Sequence, residues 1–334
     1  MKTHNPYLFL LLILLSLLAV FTGLAAGSVK INLNELWQLL AVSDEPASPL
    51  TRALVLDLRL PRVLSAFAVG GLLAMAGALM QVLLRNPLAD PYILGISGGS
   101  SVAALGLMLL GISGIWITAG AFAGGLASMF LVFHIAHGKG SWTPTRLLLT
   151  GVVIAAGWGA VISFLLAISP TQNIKGMLFW LMGDLSQSSE PTTGLIVLVG
   201  AVIISIPLSR NFDVLGRGEL RAMALGINLL RNRSLIYVMA SLMTATAVSI
   251  AGSVGFVGLI IPHSLRLLGV RNHRVLLPAC ALLGGSLLVF ADTLARTIMA
   301  PQQLPVGVIT AFIGVPIFLV LLGKTGNQLA AWER

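Results

Sequence analysis

Charge is what this sequence has least of. Asp, Glu, Lys and Arg make up 9% of its 334 residues, and Asp and Glu together number 11. A soluble chain carries about 25% charged residues, so a water-solvated globular protein is excluded. Cysteine is nearly absent: the single Cys280 lies in an apolar run, and no intrachain disulfide can form. Long polar loops are missing too. The stretches 28–58 and 169–193 are too short to bury a core of their own. Nucleotide chemistry is missing as well. Gly323-Lys324-Thr325 looks like the end of a phosphate-binding loop, but Phe318 stands where that motif needs glycine. Gly138-Lys139 fails likewise, with Phe133 at the required place. Ser97-Gly98-Gly99-Ser100 opens an apolar run and reads as a packing turn. Work driven by ATP would have to draw on another chain.

Metal and catalytic clusters are equally thin. His134 and His137 are spaced i, i+3, His263 follows Pro262, and His273 sits among basic residues. None has a carboxylate pair or a cysteine beside it, so capping or interfacial contact explains them better than metal ligation. No Ser/His/Asp set stands out. The expectation is a chain with no catalytic residues, no metal and no cofactor.

What is present is apolar length. Hydrophobic residues make up 57%, and the mean hydropathy is +0.98. Ten apolar runs follow one another: 7–27, 63–84, 92–112, 115–136, 147–168, 194–208, 235–251, 254–268, 275–294 and 306–322. The sixth and eighth are short for a bilayer that asks for about 20 residues. Ala25-Ala26-Gly27 offers small residues for signal cleavage, but the first run is long and nine more follow, so it reads as an uncleaved helix. The 36 glycines suit close helix packing in lipid. The expected fold is an all-α, polytopic membrane protein of about ten transmembrane helices, one integral domain over 1–334.

Orientation follows from Lys and Arg. With the N-terminus inside, Lys30, Arg52, Arg59, Arg62, Lys175 and Arg296 fall outside, and the remaining fourteen of 20 fall inside. That bias puts both termini in the cytoplasm. The net charge of +9 therefore reflects topology, not nucleic-acid binding.

Three charged features interrupt the apolar runs. The first is 210–233, which holds Arg210, Asp213, Arg217, Glu219, Arg221, Arg231 and Arg233. Within it, 218–225 places Leu220, Met223 and Ala224 on one helix face, Glu219 falls in the first turn, and Gly226 supplies a stop. A second turn-length piece starts at 227–230. A docking surface for a soluble partner and a solvated cytoplasmic loop both fit. The second feature is Arg59-Leu60-Pro61-Arg62, outside against the topological trend, with Arg296 on the same side. Acidic groups of an external partner or lipid phosphates would each use these arginines. The third is Asp292 and Arg296, four apart and able to pair on one face, either closing a helix end or serving ion coupling. The Pro-bracketed turns at 84–95 and 294–307 fall on opposite sides, which makes an inverted internal repeat a candidate.

Motifs at specific positions go further. They are RLPR from Arg59, NPLADP from Asn86, TRLLLTG from Thr145, LFWLMGDL from Leu178, GFVGLIIPH from Gly255, ADTLART from Ala291 and LPVG from Leu304. Together they cover about 54–322, and the chain resembles a permease of the FecCD family, the membrane subunit of ABC importers for iron–siderophore complexes, haem or vitamin B12. The resemblance implies ten helices per subunit in a bacterial inner (plasma) membrane and a homodimer, or a pair with a close relative, with the pathway at the dimer interface. It implies two ATP-binding subunits docked on the cytoplasmic loop through two short helices at 218–230, involving Arg217, Glu219, Arg221, Ala222, Leu225 and Gly226. It implies a periplasmic substrate-binding protein meeting Arg59, Arg62 and Arg296. It implies a cytoplasmic gate at the start of the fifth run, with Thr145 and Leu148, where Pro144 is a good helix start. Such a permease is not itself an enzyme. An ion-coupled secondary transporter acting without an ATPase is the rival class. An iron chelate is favoured over cobalamin as cargo, with Met177, Phe179, Trp180 and Met182 as candidates to meet it or simply to pack.

The topology is open to a direct check. In a background with Cys280 replaced by serine, single cysteines at Asn5 and Asn327 should be shielded from membrane-impermeant thiol reagents in intact cells. Labelling of either from outside would remove the ten-span arrangement.

Overall fold

A computed structural model describes residues 6–29, 31–40, 48–137, 143–186 and 190–332, and all regular structure in them is helical. Seven helices are long and apolar enough to cross a membrane, and three shorter apolar helices accompany them. These ten correspond in order to the ten apolar runs.

The elements are α1 (Pro6–Ala25), α2 (Leu33–Leu40), α3 (Pro49–Arg52), α4 (Leu60–Leu84), α5 (Ile96–Leu109), α6 (Ile115–His137) and α7 (Pro144–Ile168). They continue as α8 (Thr171–Leu181), α9 (Thr192–Gly216), α10 (Glu219–Ala224), α11 (Leu229–Ala251), α12 (Val257–Leu267), α13 (His273–Thr297) and α14 (Val306–Trp332). A π-helical stretch, Ala53–Arg59, leads into α4, and a 3-10 turn, Pro91–Leu94, leads into α5.

Local chemistry sets many of these ends. Thr143 caps α7, its hydroxyl accepting from the Arg146 N–H, and Pro144 occupies the first turn, as its fixed φ favours. Asn228 caps α11 by accepting from the Arg231 N–H at 2.9 Å, and Asn272 caps α13 by accepting from Arg274 at 2.8 Å.

Boundaries differ from the sequence reading at informative places. The sixth run is not short: α9 has 25 residues and carries Arg210 and Asp213 on its last turns. The loop proper is therefore 217–228, not 210–233, because a helix leaving an apolar layer can extend into water while its polar groups find partners. The second short piece at 227–230 does not stand alone, since Leu229 already begins α11. The third run opens as the 3-10 turn before α5. The eighth run does stay short: α12 has 11 residues, preceded by an irregular stretch with Phe256 in the left-handed region.

α4 lies at the centre, packed by α13, α11, α12 and α9, while α1 covers α13. α5, α6 and α7 form a flanking group. Polar cross-links tie it in: the Tyr237 hydroxyl donates to the Met129 carbonyl at 2.7 Å, and the Trp158 indole donates to Ser128, whose hydroxyl donates to the Gly95 carbonyl. The approach of α4 to its neighbours is close enough to demand glycine. A methyl group at Gly77 would lie 1.8 Å from the Gly258 carbonyl oxygen, and one at Gly70 would lie 2.2 Å from that of Gly284. Backbone cannot move aside as a flexible side chain can. α7 contrasts with α4: Leu149, Val152, Val153, Phe164 and Ile168 are all exposed.

Gly77→Ala should lower stability by about 1–3 kcal/mol through overpacking. Gly200→Ala, where nothing lies within 4 Å, should be neutral or slightly stabilising. Thermal unfolding in detergent, read side by side for the two variants, checks the pair. Equal midpoints would show that α4 and α12 are not in the tight register described.

Candidate functional site

One end of the bundle gathers the charged stretch into a frame around α10. α10 itself is six residues long. It ends in a Schellman turn: Gly226 has φ +74°, its N–H bonds the Met223 carbonyl at 2.9 Å, and the Ile227 N–H bonds the Ala222 carbonyl at 3.0 Å. The helix stop read at Gly226 is thus present, with the left-handed backbone that glycine supplies cheaply.

Leu220, Met223 and Ala224 do share a face, and it points outward. Leu220 is 80% exposed, Met223 52% and Leu225 67%, and Arg217 and Arg221 are exposed as well. Only Ala222 of α10 is buried. A six-residue helix presenting Leu, Met and Leu to solvent between arginines has the character of an interface core with a polar rim.

Glu219, named for the partner contact, is half-buried and engaged within this chain. Its carboxylate is gripped by two guanidiniums of this same chain, Arg85 and Arg233. Arg85 is the residue just past α4 and adopts a left-handed backbone, φ 48° and ψ 36°. Glycine is the usual occupant there, and another residue held in that region costs about 1–3 kcal/mol.

Two further links complete the frame. Asn211 on α9 donates its amide to the Asn232 side chain on α11 at 2.9 Å. Asp213 on α9 accepts from the His273 N–H at 2.9 Å and lies 2.6 Å from His273 Nδ1, which joins α9 to the first turn of α13. α9, α10, α11, α13 and the end of α4 are thereby tied together at one level.

Of the gate residues read from the sequence, Thr145 is exposed and Leu148 is half-buried, on the first turns of α7. Met177 is buried, Phe179 and Trp180 are half-buried and Met182 is exposed.

The opposite end holds a second charged cluster, and its arginines are buried. Arg59, Arg62 and Arg296 are 6%, 8% and 5% exposed. Arg59 donates to the carbonyls of Leu24 at 2.6 Å and Ala25 at 2.9 Å, and to that of Val29, closing the C-terminal end of α1. Arg62 meets Asp292 at 2.8 Å and donates to Gln303 at 2.7 Å. Arg296 pairs with Asp292 at 3.0 Å, the i, i+4 pair read from the sequence, and donates to the Gly23 carbonyl at 3.1 Å. Buried guanidiniums need such partners, and these came from α1 and α13, distant in sequence. Arg52 and Lys175 are the exposed outer cations among the described residues.

An all-helical bundle with a short helix presenting apolar side chains to solvent fits a transport subunit, and comparison with known proteins decides which kind. The model of the FecCD transport family matches residues 11–324. The chain belongs to the FecCD transport family. The cobalamin import system permease protein BtuC of Halobacterium salinarum is 42% identical over 81% of this chain and 73% of its own. An ABC transporter permease protein of Bacillus subtilis, YvrB, is 38% identical over 91% of this chain and 90% of its own. The vitamin B12 import system permease protein BtuC of Escherichia coli is 37% identical over 98% of both chains. Among solved structures, an inward-facing ABC transporter assigned to the metal-chelate type superposes with TM-score 0.81, at 29% identity, over 96% of this chain and all of that one. This FecCD member is a permease subunit of an ABC importer.

Sequence reading missed the roles of Arg85, Arg233, Asn211, Asn232 and the Asp213–His273 pair. The density of charge in 210–233 was the available signal, but the partners lie up to 134 positions away.

Asp292→Asn should cost about 3–5 kcal/mol, because it leaves two buried guanidiniums without their carboxylate. Arg62→Glu should be worse, setting one buried carboxylate against another. The yield and thermal midpoint of the purified permease measure both. Wild-type midpoints would show that water, not Asp292, satisfies these arginines.

Proposed function

We propose that this chain is one of two permease subunits that pass a bulky metal chelate, cobalamin first and an iron siderophore or haem next, into the cytoplasm. Two ATP-hydrolysing subunits dock on α10 from the cytoplasm, and a periplasmic binding protein delivers the cargo from outside. The observation that carries this reading is α10 itself, held rigidly from behind while Leu220, Met223 and Leu225 are offered to a partner. Arg217 and Arg221 rim that contact. Cobalamin takes precedence over an iron chelate because relatives named for vitamin B12 or cobalamin import align over most of this chain.

The exposed apolar face of α7 supports pairing with a second copy, which would bring two sets of Thr145 and Leu148 together as the cytoplasmic gate. On the outer side, the exposed Arg52 and Lys175 offer contacts for acidic groups of the binding protein. Arg59, Arg62 and Arg296 frame that surface and would reach a partner only if their network opened. ATP-driven closure of the two ATPases would push α10, and the bundle would rock between inward- and outward-facing states. The ion-coupled rival relied on Asp292, which here is held between two arginines.

Reconstitution tests the reading. The permease, its ATPase and its binding protein in vesicles should take up cobalamin in an ATP-dependent way, in preference to ferric siderophore or haem. Gly226→Val forces a branched side chain into a left-handed backbone at a cost of about 1–2 kcal/mol and tilts α10. It should insert normally yet release the ATPase or lose uptake. Full uptake by Gly226→Val would mean that α10 is only a solvated connector.

A further inference from the structure

The importer reading makes α10 the place where force arrives, but it does not say how that force reaches the transmembrane bundle. We propose that the Arg85–Glu219–Arg233 bridge is the rigid link between α10 and the central helix α4, with Glu219 and Arg85 as positioning residues for transport.

Three observations carry this. The Glu219 carboxylate is shared by Arg85, at the end of α4, and Arg233, on α11. Both guanidiniums converge on one oxygen, Oε1, so the contact fixes α10 against two helices at a single point. Next, α10 has little else to hold it from behind. Ala222 is its one buried side chain, and its other large side chains face outward. Apart from the bridge, α10 makes only light contact with α9 and α11.

The third observation is the backbone at Arg85. Among the described residues, only Arg85 and Phe256 adopt positive φ without being glycine. The position closes α4 with a helix-ending turn, the Asn86 N–H bonding the Gln81 carbonyl at 3.2 Å. Glycine would make that turn more cheaply but would have no guanidinium to offer. A strained backbone that serves a particular side-chain contact is a mark of function.

The charges explain why Glu219 is the critical member. Burial and then the neighbouring Arg233 hold the Arg85 guanidinium below the usual arginine range. With Glu219 neutral, Arg85 and Arg233 would face each other uncompensated, and α10 would lose its charged tie to both α4 and α11. α4 then carries the displacement onward. It is the most enclosed helix of the bundle, and its opposite end bears Arg62, paired with Asp292 on α13. The rod is anchored by ion pairs at both ends.

This proposal rests on the importer reading, and the test separates the two. Glu219→Gln, Arg85→Gln and Arg85→Lys permeases are purified with the ATPase and reconstituted with the binding protein. ATPase co-purification, ATP hydrolysis and cobalamin uptake are measured for each, with the thermal midpoint of the complex. Glu219→Gln and Arg85→Gln should retain the ATPase and hydrolyse ATP. Their uptake per ATP should fall by about three- to thirtyfold, the range expected for a residue in a coupling network. Arg85→Lys, which keeps the charge, should recover most of that ratio, whereas a merely structural role would give parallel losses in midpoint and hydrolysis. Wild-type uptake per ATP in both glutamine variants would overturn the link. Loss of the ATPase from Glu219→Gln alone, with Arg85→Gln unaffected, would also overturn it, because Glu219 would then touch the partner directly. A wild-type complex that binds no ATPase and takes up nothing would instead bring down the importer reading, and this link with it.

Discussion

Everything in this bundle is arranged around the closeness of α4 to its neighbours. At Gly77–Gly258 and Gly70–Gly284 the helix backbones meet with no room for a methyl group. Between helices in lipid no hydrophobic drive exists, since lipid tails are as apolar as leucine. Close backbone approach is what gives dispersion contacts enough surface to hold helices together. The glycines therefore work as the adhesive of the core. They also make α4 a stiff element: a 25-residue helix, about 37 Å long, gripped on several sides and unable to bend without breaking those contacts.

Polar interactions then decide what each end of that element does. At one end Arg62, Asp292 and Arg296 form a buried cluster that joins α4 to α13, and Arg59 and Arg296 reach across to the end of α1. Such clusters add little net stability compared with apolar packing, but removing one partner is costly, so they fix which helices meet and in what register. At the opposite end the same logic holds in a more exposed setting. Glu219, Asn211–Asn232 and Asp213–His273 link helices that the apolar core alone would leave free to slide. α10, its apolar face turned outward, is thus tied to the end of α4.

Much of this was legible in the sequence. Ten apolar runs became ten apolar helices in order. Pro144 after Thr143 began α7, Gly226 ended α10, and the i, i+4 spacing of Asp292 and Arg296 gave a real pair. These are local signals, carried by residues a turn or less apart, where backbone preference and side-chain reach act without help from the rest of the chain. The motif run from RLPR to LPVG that placed the chain in its family likewise lies at or near helix ends.

The sequence by itself determined the number of apolar helices, the presence of a charged element between two of them, the family and therefore the kind of machine. Tertiary structure alone decided the fate of the charges. Arg59, Arg62 and Arg296 look like outward-facing cations until α1 and α13 close over them. Glu219 looks like a partner contact until Arg85 and Arg233 arrive from other helices. Nor did the sequence show that 210–216 is helix rather than loop, because helix length beyond the apolar layer depends on partners such as His273. The physical reason is common to all of these. A charge in or near a membrane has so few polar neighbours that its role is set by the nearest one, and which neighbour is nearest is a matter of how the helices pack.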